Sequence, residues 1–367
     1  MVPESKKENN HSAFFQGIPL FCVFIWKSRG LKTSYNAYKN IKRRMKMKSA
    51  IFFLPAFLVI ISCNTEPNFN PGWTLLREKQ DDITYYALHF SDESTGWIVG
   101  YSGTIKRTSN GGDTWITQQS GVQSNLWDVC FINNQIGWVC GADNTLLKTV
   151  NAGESWNTVS LGDFSNKVNV AIKFIDDNNG WLSNNNGEIL KSSDGGLTWQ
   201  VVKQKNVGGA RLAVFDENTV YFLSGKLFRT FDGGVTWDSL SVSTPNNYMN
   251  SEMFFSDPDN GYIVTVNGTG GMIISEYPIV MTKNGGSNWQ SSDYLKSDGF
   301  RCVYFTDENN GWVAGNNIYK TNDGGESWIL DYSPKTSTLN AKDLYFINEN
   351  CGWLINWDGQ IYKYESD

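Results

Sequence analysis

The heptapeptide Ser193-Asp194-Gly195-Gly196-Leu197-Thr198-Trp199 decides the fold, because near-copies of it recur along the chain. The copies end at Trp115, Trp156, Trp199, Trp237, Trp289 and Trp328. The spacings between these tryptophans are 41, 43, 38, 52 and 39 residues. A period near 40 residues, with four short strands in each repeat, is typical of β-propeller blades.

Each repeat also contains a phenylalanine that ends one β-rich segment and a Gly-Trp pair that begins the next. The phenylalanines are Phe90, Phe131, Phe174, Phe215, Phe255, Phe305 and Phe346. The Gly-Trp tryptophans are Trp97, Trp138, Trp181, Trp312 and Trp353, and Tyr262 takes this place in a sixth pair. We label the strands A to D: A ends at the phenylalanine, B follows Gly-Trp, C precedes the heptapeptide and D follows its tryptophan. Seven phenylalanines predict seven blades.

The last repeat stops after strand C, at Tyr364, without a heptapeptide. The segment from Gly72 to Arg77 matches the start of a strand D, so we expect it to complete the last blade and close the ring. Closure removes the exposed edges of an open sheet. The prediction is therefore an all-β fold, a single seven-bladed β-propeller of four-stranded blades over residues 71–367.

The heptapeptide resembles the Asp-box, or bacterial neuraminidase repeat, whose pattern is S/T-x-D/N-x-G-x-T/S-W. In this turn the Asp or Asn side chain can bind backbone N–H groups, and glycine adopts backbone angles that other residues avoid. We therefore interpret six residues as turn-forming rather than catalytic: Asn110, Asn151, Asp194, Asp232, Asn284 and Asp323.

Over residues 71–364 the pattern is similar to the photosystem II stability/assembly factor family and its bacterial relatives. The resemblance implies a non-enzymatic protein whose propeller binds a protein client during assembly or stabilisation of a membrane or surface complex. It also implies that a basic patch engages the client, a role that it assigns to Arg211 and Arg301. The same repeats occur in sialidases, xyloglucanases and sortilin-type receptors, so the repeat alone does not fix the function.

The composition of the 367 residues is that of a globular protein, with 40% hydrophobic and 19% charged residues. Residues 1–62 have a net charge of +9, whereas residues 63–367 have a net charge of −15. The acidic body argues against nucleic acid as a partner, because phosphate binding needs clustered positive charge. With only 2 histidines and no zinc-type spacing of cysteines, we expect no metal and no cofactor.

Residues 45–62 have the pattern of a bacterial lipoprotein signal peptide: a basic start, an apolar segment from Ala50 to Ile61, and Ser62 before Cys63. We expect lipidation of Cys63, a tether over residues 63–70, and a monomer anchored in the bacterial cell envelope. The alternative is an ordinary cleaved signal with a chance cysteine. Residues 1–44 are interpreted as a mis-assigned start upstream of the signal, or else as a long extension.

Two tryptophans of the propeller do not belong to the repeats, Trp127 and Trp357. Trp127 lies four residues before a strand-A phenylalanine, a position at which strand A should surround the mouth of the central channel. Trp357 and a long insertion at residues 267–278 fall in B–C loops on the same face. We therefore predict a binding face for an extended anionic or carboxylate-bearing polypeptide. Its residues are Tyr86, Trp127, Arg211, Arg301, Lys342 and Trp357.

Other interpretations of this face stay open. Asp128, Glu252 and Asp343 occupy the neighbouring positions, where they either neutralise the basic residues in a wet channel or serve as the carboxylates of a glycoside hydrolase. Glycan binding without hydrolysis is a third alternative, since tryptophans stack on sugars. A sialidase is disfavoured, because it needs three arginines and the channel mouth offers two.

Cys130 and Cys140 flank a hairpin symmetrically about residue 135. This spacing predicts two residues that face each other across strands A and B of blade 2. They either form a disulfide, which an envelope compartment permits, or are two buried free thiols.

Overall fold

Seven four-stranded antiparallel sheets follow one another along the chain in the computed structural model. The structure describes residues 72–77, 83–162, 167–203, 211–243, 248–267, 276–334 and 338–366. The chain divides into two compact units, residues 1–68 and 69–367, and the described residues all belong to the second. The predicted all-β, seven-bladed propeller is confirmed.

The expectations for residues 1–44, 45–62 and 63–70, including lipidation of Cys63, lie outside the described residues. Most of the insertion at 267–278 also lies outside them. Within the described ranges, no helix has the length and apolar character needed to cross a bilayer.

Strand A of each blade contacts strand A of the next, and strand A of blade 7 contacts that of blade 1, so these seven strands form a closed inner ring. The A strands are Tyr85–Phe90, Leu126–Phe131, Asn169–Phe174, Arg211–Val214, Tyr248–Phe255, Cys302–Phe305 and Ala341–Asn348. The B strands are Gly96–Gly100, Gly137–Gly141, Gly180–Asn184, Val220–Ser224, Asn260–Asn267, Gly311–Ala314 and Cys351–Asn356.

The two outer strands complete each sheet. The C strands are Ile105–Thr108, Leu146–Thr149, Ile189–Ser192, Lys226–Thr230, Ile279–Lys283, Ile318–Thr321 and Ile361–Glu365. The D strands of blades 1 to 6 are Ile116–Gln118, Asn157–Thr158, Gln200–Lys203, Asp238–Leu240, Gln290–Ser291 and Ile329–Tyr332. Outside the blades lie a short ribbon of Glu276–Tyr277 with Leu295–Lys296 and a 3-10 turn at Tyr101–Gly103.

Strand D of blade 7 is the first strand of the propeller, Trp73–Arg77, which pairs antiparallel with the last, Ile361–Glu365. Trp73 is buried and packs edge-on against Phe346 of the same blade, with ring centroids 5.8 Å apart. Its Nε1 donates a hydrogen bond of 2.8 Å to Asp331 Oδ2 in blade 6. The predicted closure by the N-terminal strand is confirmed.

The Gly-Trp pair and the strand-A phenylalanine join neighbouring blades. Trp97 of blade 1 stacks on Phe131 of blade 2 at 3.5 Å, and Trp156 of blade 2 meets the same ring edge-on at 5.9 Å. The indole of Trp97 donates to Ala152 O in the Asp-box of blade 2. A Cβ atom on Gly137 would lie 2.5 Å from the Phe131 ring, which explains the glycine. The same stacking joins Trp138 to Phe174, Tyr262 to Phe305, Trp312 to Phe346 and Trp353 to Phe90.

The Asp-box residues accept hydrogen bonds inside their own turns. Asp232 accepts from the Thr236 N–H at 2.8 Å and from the hydroxyl groups of Thr230 and Thr236. These bonds lower the pKa of Asp232 to about 2. The equivalent backbone bond is accepted by Asn110, Asn151, Asp194, Asn284 and Asp323. Residues bonded in this way are turn formers.

The expectation that Cys130 and Cys140 face each other is wrong. Cys130 pairs with Trp138, and Cys140 pairs with Asp128. The reason is the turn between the strands, which the Ile132 N–H closes on Ile136 O, so that the hairpin is centred one residue earlier than assumed. Both thiols are buried and free in the structure, and burial raises the pKa of each.

Candidate functional site

Three of the residues predicted to surround the channel mouth, Tyr86, Trp127 and Lys342, lie on β-bulges. Strand A loses its regular pairing with strand B at one residue, which then has no partner opposite. Bulges turn a side chain away from its regular direction and often occur beside binding sites. Near the start of strand A the bulged residues are Tyr86, Trp127, Val170, Ser251 and Lys342, and blade 7 has a second bulge at Ile347.

Three of the predicted aromatic residues and one lysine come together at this mouth. Tyr86 stacks on Trp127, with ring centroids 4.3 Å apart and planes inclined by 23°. Trp357 meets Tyr86 edge-on at 6.1 Å. The Lys342 ammonium lies 5.0 Å from the Trp357 ring and 5.9 Å from the Tyr86 ring, within the range of cation–π attraction. We call these four residues the mouth cluster.

One residue of the mouth cluster is open to a ligand. Trp357 is 36% exposed, although it is a large apolar side chain. The Nε1 of Trp127 is buried and has no hydrogen-bond acceptor among the described residues. An indole N–H can only donate, so a ligand would satisfy this donor only after the ring turns toward the opening.

The two predicted arginines have different surroundings. Arg211 lines the channel, and its Nε donates to Glu252 Oε2 at 2.6 Å. The Glu252 charge raises the pKa of Arg211. Arg301 is exposed at the start of strand A in blade 6 and does not line the cavity. Four of the six predicted residues thus line the cavity: Tyr86, Trp127, Arg211 and Lys342. Trp357 contacts two of them at the mouth, and Arg301 lies outside the cavity.

Below the mouth the channel encloses a cavity of about 690 Å³, a volume typical of ligand pockets. Two carboxylates in its wall are bound to backbone N–H groups. Asp128 accepts from Val129 and from Ile172 of the next blade. Asp343 likewise accepts from Leu344 and from Leu88 of blade 1, each at 2.9 Å. These carboxylates therefore join adjacent blades.

Burial raises the pKa of Asp343 to about 6, although the two backbone donors and the charge of Lys342 act in the opposite direction. Burial also lowers the pKa of Lys342 itself, and the Asp343 charge opposes that effect. The upper part of the channel therefore holds basic and acidic groups that partly neutralise one another.

A residue that the sequence interpretation missed lies deeper in the channel. Lys173 directly precedes a strand-A phenylalanine and lines the cavity beside His89, Cys130 and Tyr304. Burial acts to lower the pKa of Lys173, but the charge of Asp128, with smaller contributions from other acidic groups, outweighs burial and raises it. The ammonium group is therefore charged. In the same layer, burial and the charge of Lys173 lower the pKa of His89 to about 3, so its imidazole is neutral.

The described residues contain no group of three or more His, Cys, Asp or Glu side chains arranged to hold a metal ion. The chemistry of the channel is thus that of hydrogen bonds, charges and aromatic surface.

A family model described as "Photosynthesis system II assembly factor YCF48" matches residues 68–365 of the chain. No curated protein matches. Among solved structures, "YCF48 bound to D1 peptide" has 22% sequence identity and a TM-score of 0.66, covering 82% of this chain and 98% of that one. YCF48 from Cyanidioschyzon merolae has 18% identity and a TM-score of 0.66, covering 80% and 98%.

The propeller of a GH74 enzyme from Niastella koreensis is also similar, with 15% identity and a TM-score of 0.61. That match covers 79% of this chain and 53% of the enzyme. At these identities the solved structures support the fold alone.

Proposed function

The chain belongs to the Photosynthesis system II assembly factor YCF48 family, and on this premise we propose that its channel mouth binds an extended segment of a client protein without catalysing a reaction. The segment carries acidic side chains or a carboxylate. A relative with the same fold is described as bound to a D1 peptide, which makes a polypeptide the ligand class we favour for this chain. Binding of this kind fits a role in assembling or stabilising a membrane or surface complex.

The mouth cluster is the observation that carries the proposal. It presents three aromatic rings and an ammonium group at the opening of the cavity, and bulges turn three of its residues, Tyr86, Trp127 and Lys342, out of the regular sheet. Rigid aromatic side chains and paired basic groups are the residue types that contribute most to protein recognition. The ammonium of Lys342 favours a negatively charged segment, and the exposed Arg301 adds positive charge beyond the cavity.

The carboxylates of the channel favour binding over glycoside hydrolysis. Hydrolysis needs two carboxyl groups, one to donate a proton and one to act as base or nucleophile. Asp128 and Asp343 each accept two backbone N–H groups, one of them from a neighbouring blade. Glu252 is bonded to Arg211 and to the Met253 N–H. Each carboxylate would have to give up structural bonds to take part in catalysis.

Immobilised octapeptides test the proposal directly. The peptides are attached through their N-termini and differ in the number of Asp and Glu residues. Peptides in which Asn and Gln replace Asp and Glu are the neutral controls. We expect the full chain to retain the acidic peptides, and Lys342→Glu to weaken their binding by tenfold or more. Trp127→Ala should weaken the binding of acidic and neutral peptides alike, because it removes aromatic contact area rather than charge.

Lys283→Glu is the matched control. Lys283 is exposed and ends strand C of blade 5, at the end of the blade opposite to the start of strand A. Its ion pair with Glu326 is between two exposed side chains, so its loss costs little stability. If the full chain does not distinguish acidic from neutral peptides, or if Lys342→Glu binds them as tightly as Lys283→Glu does, the proposed function is wrong.

We also propose that Cys63 anchors the propeller to the bacterial envelope. The support is the sequence pattern of residues 45–63. Expressed in a bacterium supplied with radiolabelled palmitate, the chain should become labelled, and Cys63→Ser should abolish the label while Cys302→Ser keeps it. Equal labelling of the native chain and Cys63→Ser would contradict this proposal.

A further inference from the structure

Lys173 is a charged group inside the channel for which the described residues offer no hydrogen-bond partner. Its side chain is partly buried and lines the cavity. Among the described residues, its ammonium group makes no hydrogen bond and no ion pair. An ammonium group can donate three hydrogen bonds, so an acceptor that enters the cavity can bind at this point.

The acidic side chains nearest to Lys173 are already committed to other bonds. Both oxygens of Asp128 accept backbone N–H groups, and so do both oxygens of Asp343. Glu252, one layer higher, is held by Arg211. These carboxylates keep the lysine charged by their field but do not bind it directly. The donors of the Lys173 ammonium are therefore free for an acceptor that enters the cavity.

From this geometry we infer that Lys173 binds a carboxylate that enters the cavity through the mouth cluster. The inference rests on the proposed function in one respect, because the ligand uses the same opening. The free ammonium group favours an anion, and the neutral His89 beside it adds no competing charge. The Tyr304 and Tyr345 rings complete this layer, 5.3 Å apart between centroids.

The depth of the site limits the source of the carboxylate. Lys173 lies three residues further along strand A than the bulged residues, which corresponds to roughly 10 Å at 3.3 Å per residue. An Asp or Glu side chain of a segment lying across the mouth would have to point straight down the channel to approach the Lys173 ammonium, whereas a chain terminus or a small molecule can enter end-on. The carboxylate therefore comes either from a free polypeptide terminus with small side chains or from a small free carboxylate.

Three probes separate these sources: N-acetyl-trialanine as the free acid, the same peptide as its C-terminal amide, and propionate. The full chain is titrated with each, and the lysine ammonium signals are followed by ¹H–¹⁵N NMR. We expect the free acid to bind at least tenfold more tightly than the amide, as is typical when a charge-assisted hydrogen bond is lost. The Lys173 signal should shift on binding. If propionate binds as tightly as the peptide acid, the ligand is a small carboxylate. If propionate binds more weakly than the peptide acid, the ligand is a polypeptide terminus.

Lys173→Met removes the charge with little change in side-chain volume. It should lower the affinity for the free acid to the affinity for the amide. Lys173→Arg keeps a cation and should keep the preference for the acid, which covers the case in which the Met variant does not fold. Lys283→Met, on the opposite face, is the control and should bind like the native chain.

Equal binding of acid and amide by the native chain would overturn the inference. So would a Lys173 signal that stays unchanged at saturation, or an acid preference that survives in Lys173→Met. Failure of the proposed function looks different. In that case the octapeptides are not retained, while the acid probes still bind through Lys173. Octapeptides that are retained although neither the peptide acid nor propionate shifts the Lys173 signal would contradict the Lys173 site and leave the proposed function standing.

Discussion

His89 shows at the scale of one residue how the channel links stability to pH. Its ring lies 4.9 Å from that of Tyr345 and 6.2 Å from that of Phe131. Burial and the charge of Lys173 lower its pKa to about 3 from an ordinary value of 6.5. The folded protein thus binds a proton at this site less readily than the unfolded chain does. The contribution of His89 to stability is therefore complete above pH 6.5 and declines as pH falls toward 3.

Replacing His89 with phenylalanine should remove this dependence while filling the same space. The free energy of unfolding of the native chain, minus that of His89→Phe, should fall by up to about 1.4 kcal/mol for each pH unit below 6.5. Urea unfolding of both proteins at pH 8, 7, 6 and 5 measures this difference. Asp343, which also titrates in this range, is present in both proteins and cancels to first order. A difference that stays constant from pH 8 to pH 5 would show that His89 takes up protons freely in the fold.

The sequence contained a signal for Lys173 that the interpretation did not use. The residues directly before the strand-A phenylalanines are His89, Cys130, Lys173, Phe254, Tyr304 and Tyr345, with Val214 in blade 4. Lys173 is the one charged member of this row, and the row faces the channel. The sequence could not show that Asp128 and Asp343 accept hydrogen bonds from backbone N–H groups of adjacent blades, because those partners are distant in sequence.

At the scale of the strand, β-bulges determine which residues reach the channel mouth. A regular strand would send alternate side chains to opposite sides, so Trp127 and Asp128 could not both face the channel without a bulge. Bulging is a property of strand pairing, which depends on the neighbouring strand. Counting back from the phenylalanine placed Tyr86, Trp127 and Lys342 correctly at the mouth. The same count brought Arg301 to the mouth as well, but strand A of blade 6 begins only at Cys302.

The closing strand Trp73–Arg77 gives a prediction at the same scale. Trp73→Ala removes a buried indole and its bond to Asp331, and should lower the free energy of unfolding by about 3–5 kcal/mol. Ile116→Ala is the control, since Ile116 begins strand D of blade 1 but is 70% exposed. It should change stability by less than about 0.5 kcal/mol. Urea unfolding measures both, and a Trp73→Ala protein as stable as Ile116→Ala would mean that closure contributes little.

At the scale of the whole molecule, the repeat made the architecture predictable. Every blade uses the same phenylalanine, and in blades 1, 2, 5, 6 and 7 an aromatic residue at the start of strand B stacks on the phenylalanine of the next blade. One local pattern therefore specifies both the blade and its interface. The residues that distinguish this propeller, Trp127, Lys173, Lys342 and Trp357, are departures from the repeat. Their roles depend on contacts between blades that are far apart in sequence.

Blade 7 also sets the order of events when the chain is made. Its strand Trp73–Arg77 leaves the ribosome before all the others, and its partner Ile361–Glu365 leaves last. At roughly 5–20 residues per second, translation of the intervening chain takes from about 15 seconds to about a minute. Throughout that time the first strand has unpaired backbone groups, which can pair with another chain. The propeller therefore cannot close until strand Ile361–Glu365 has left the ribosome, and a nascent chain protected from its neighbours over this interval should fold in higher yield.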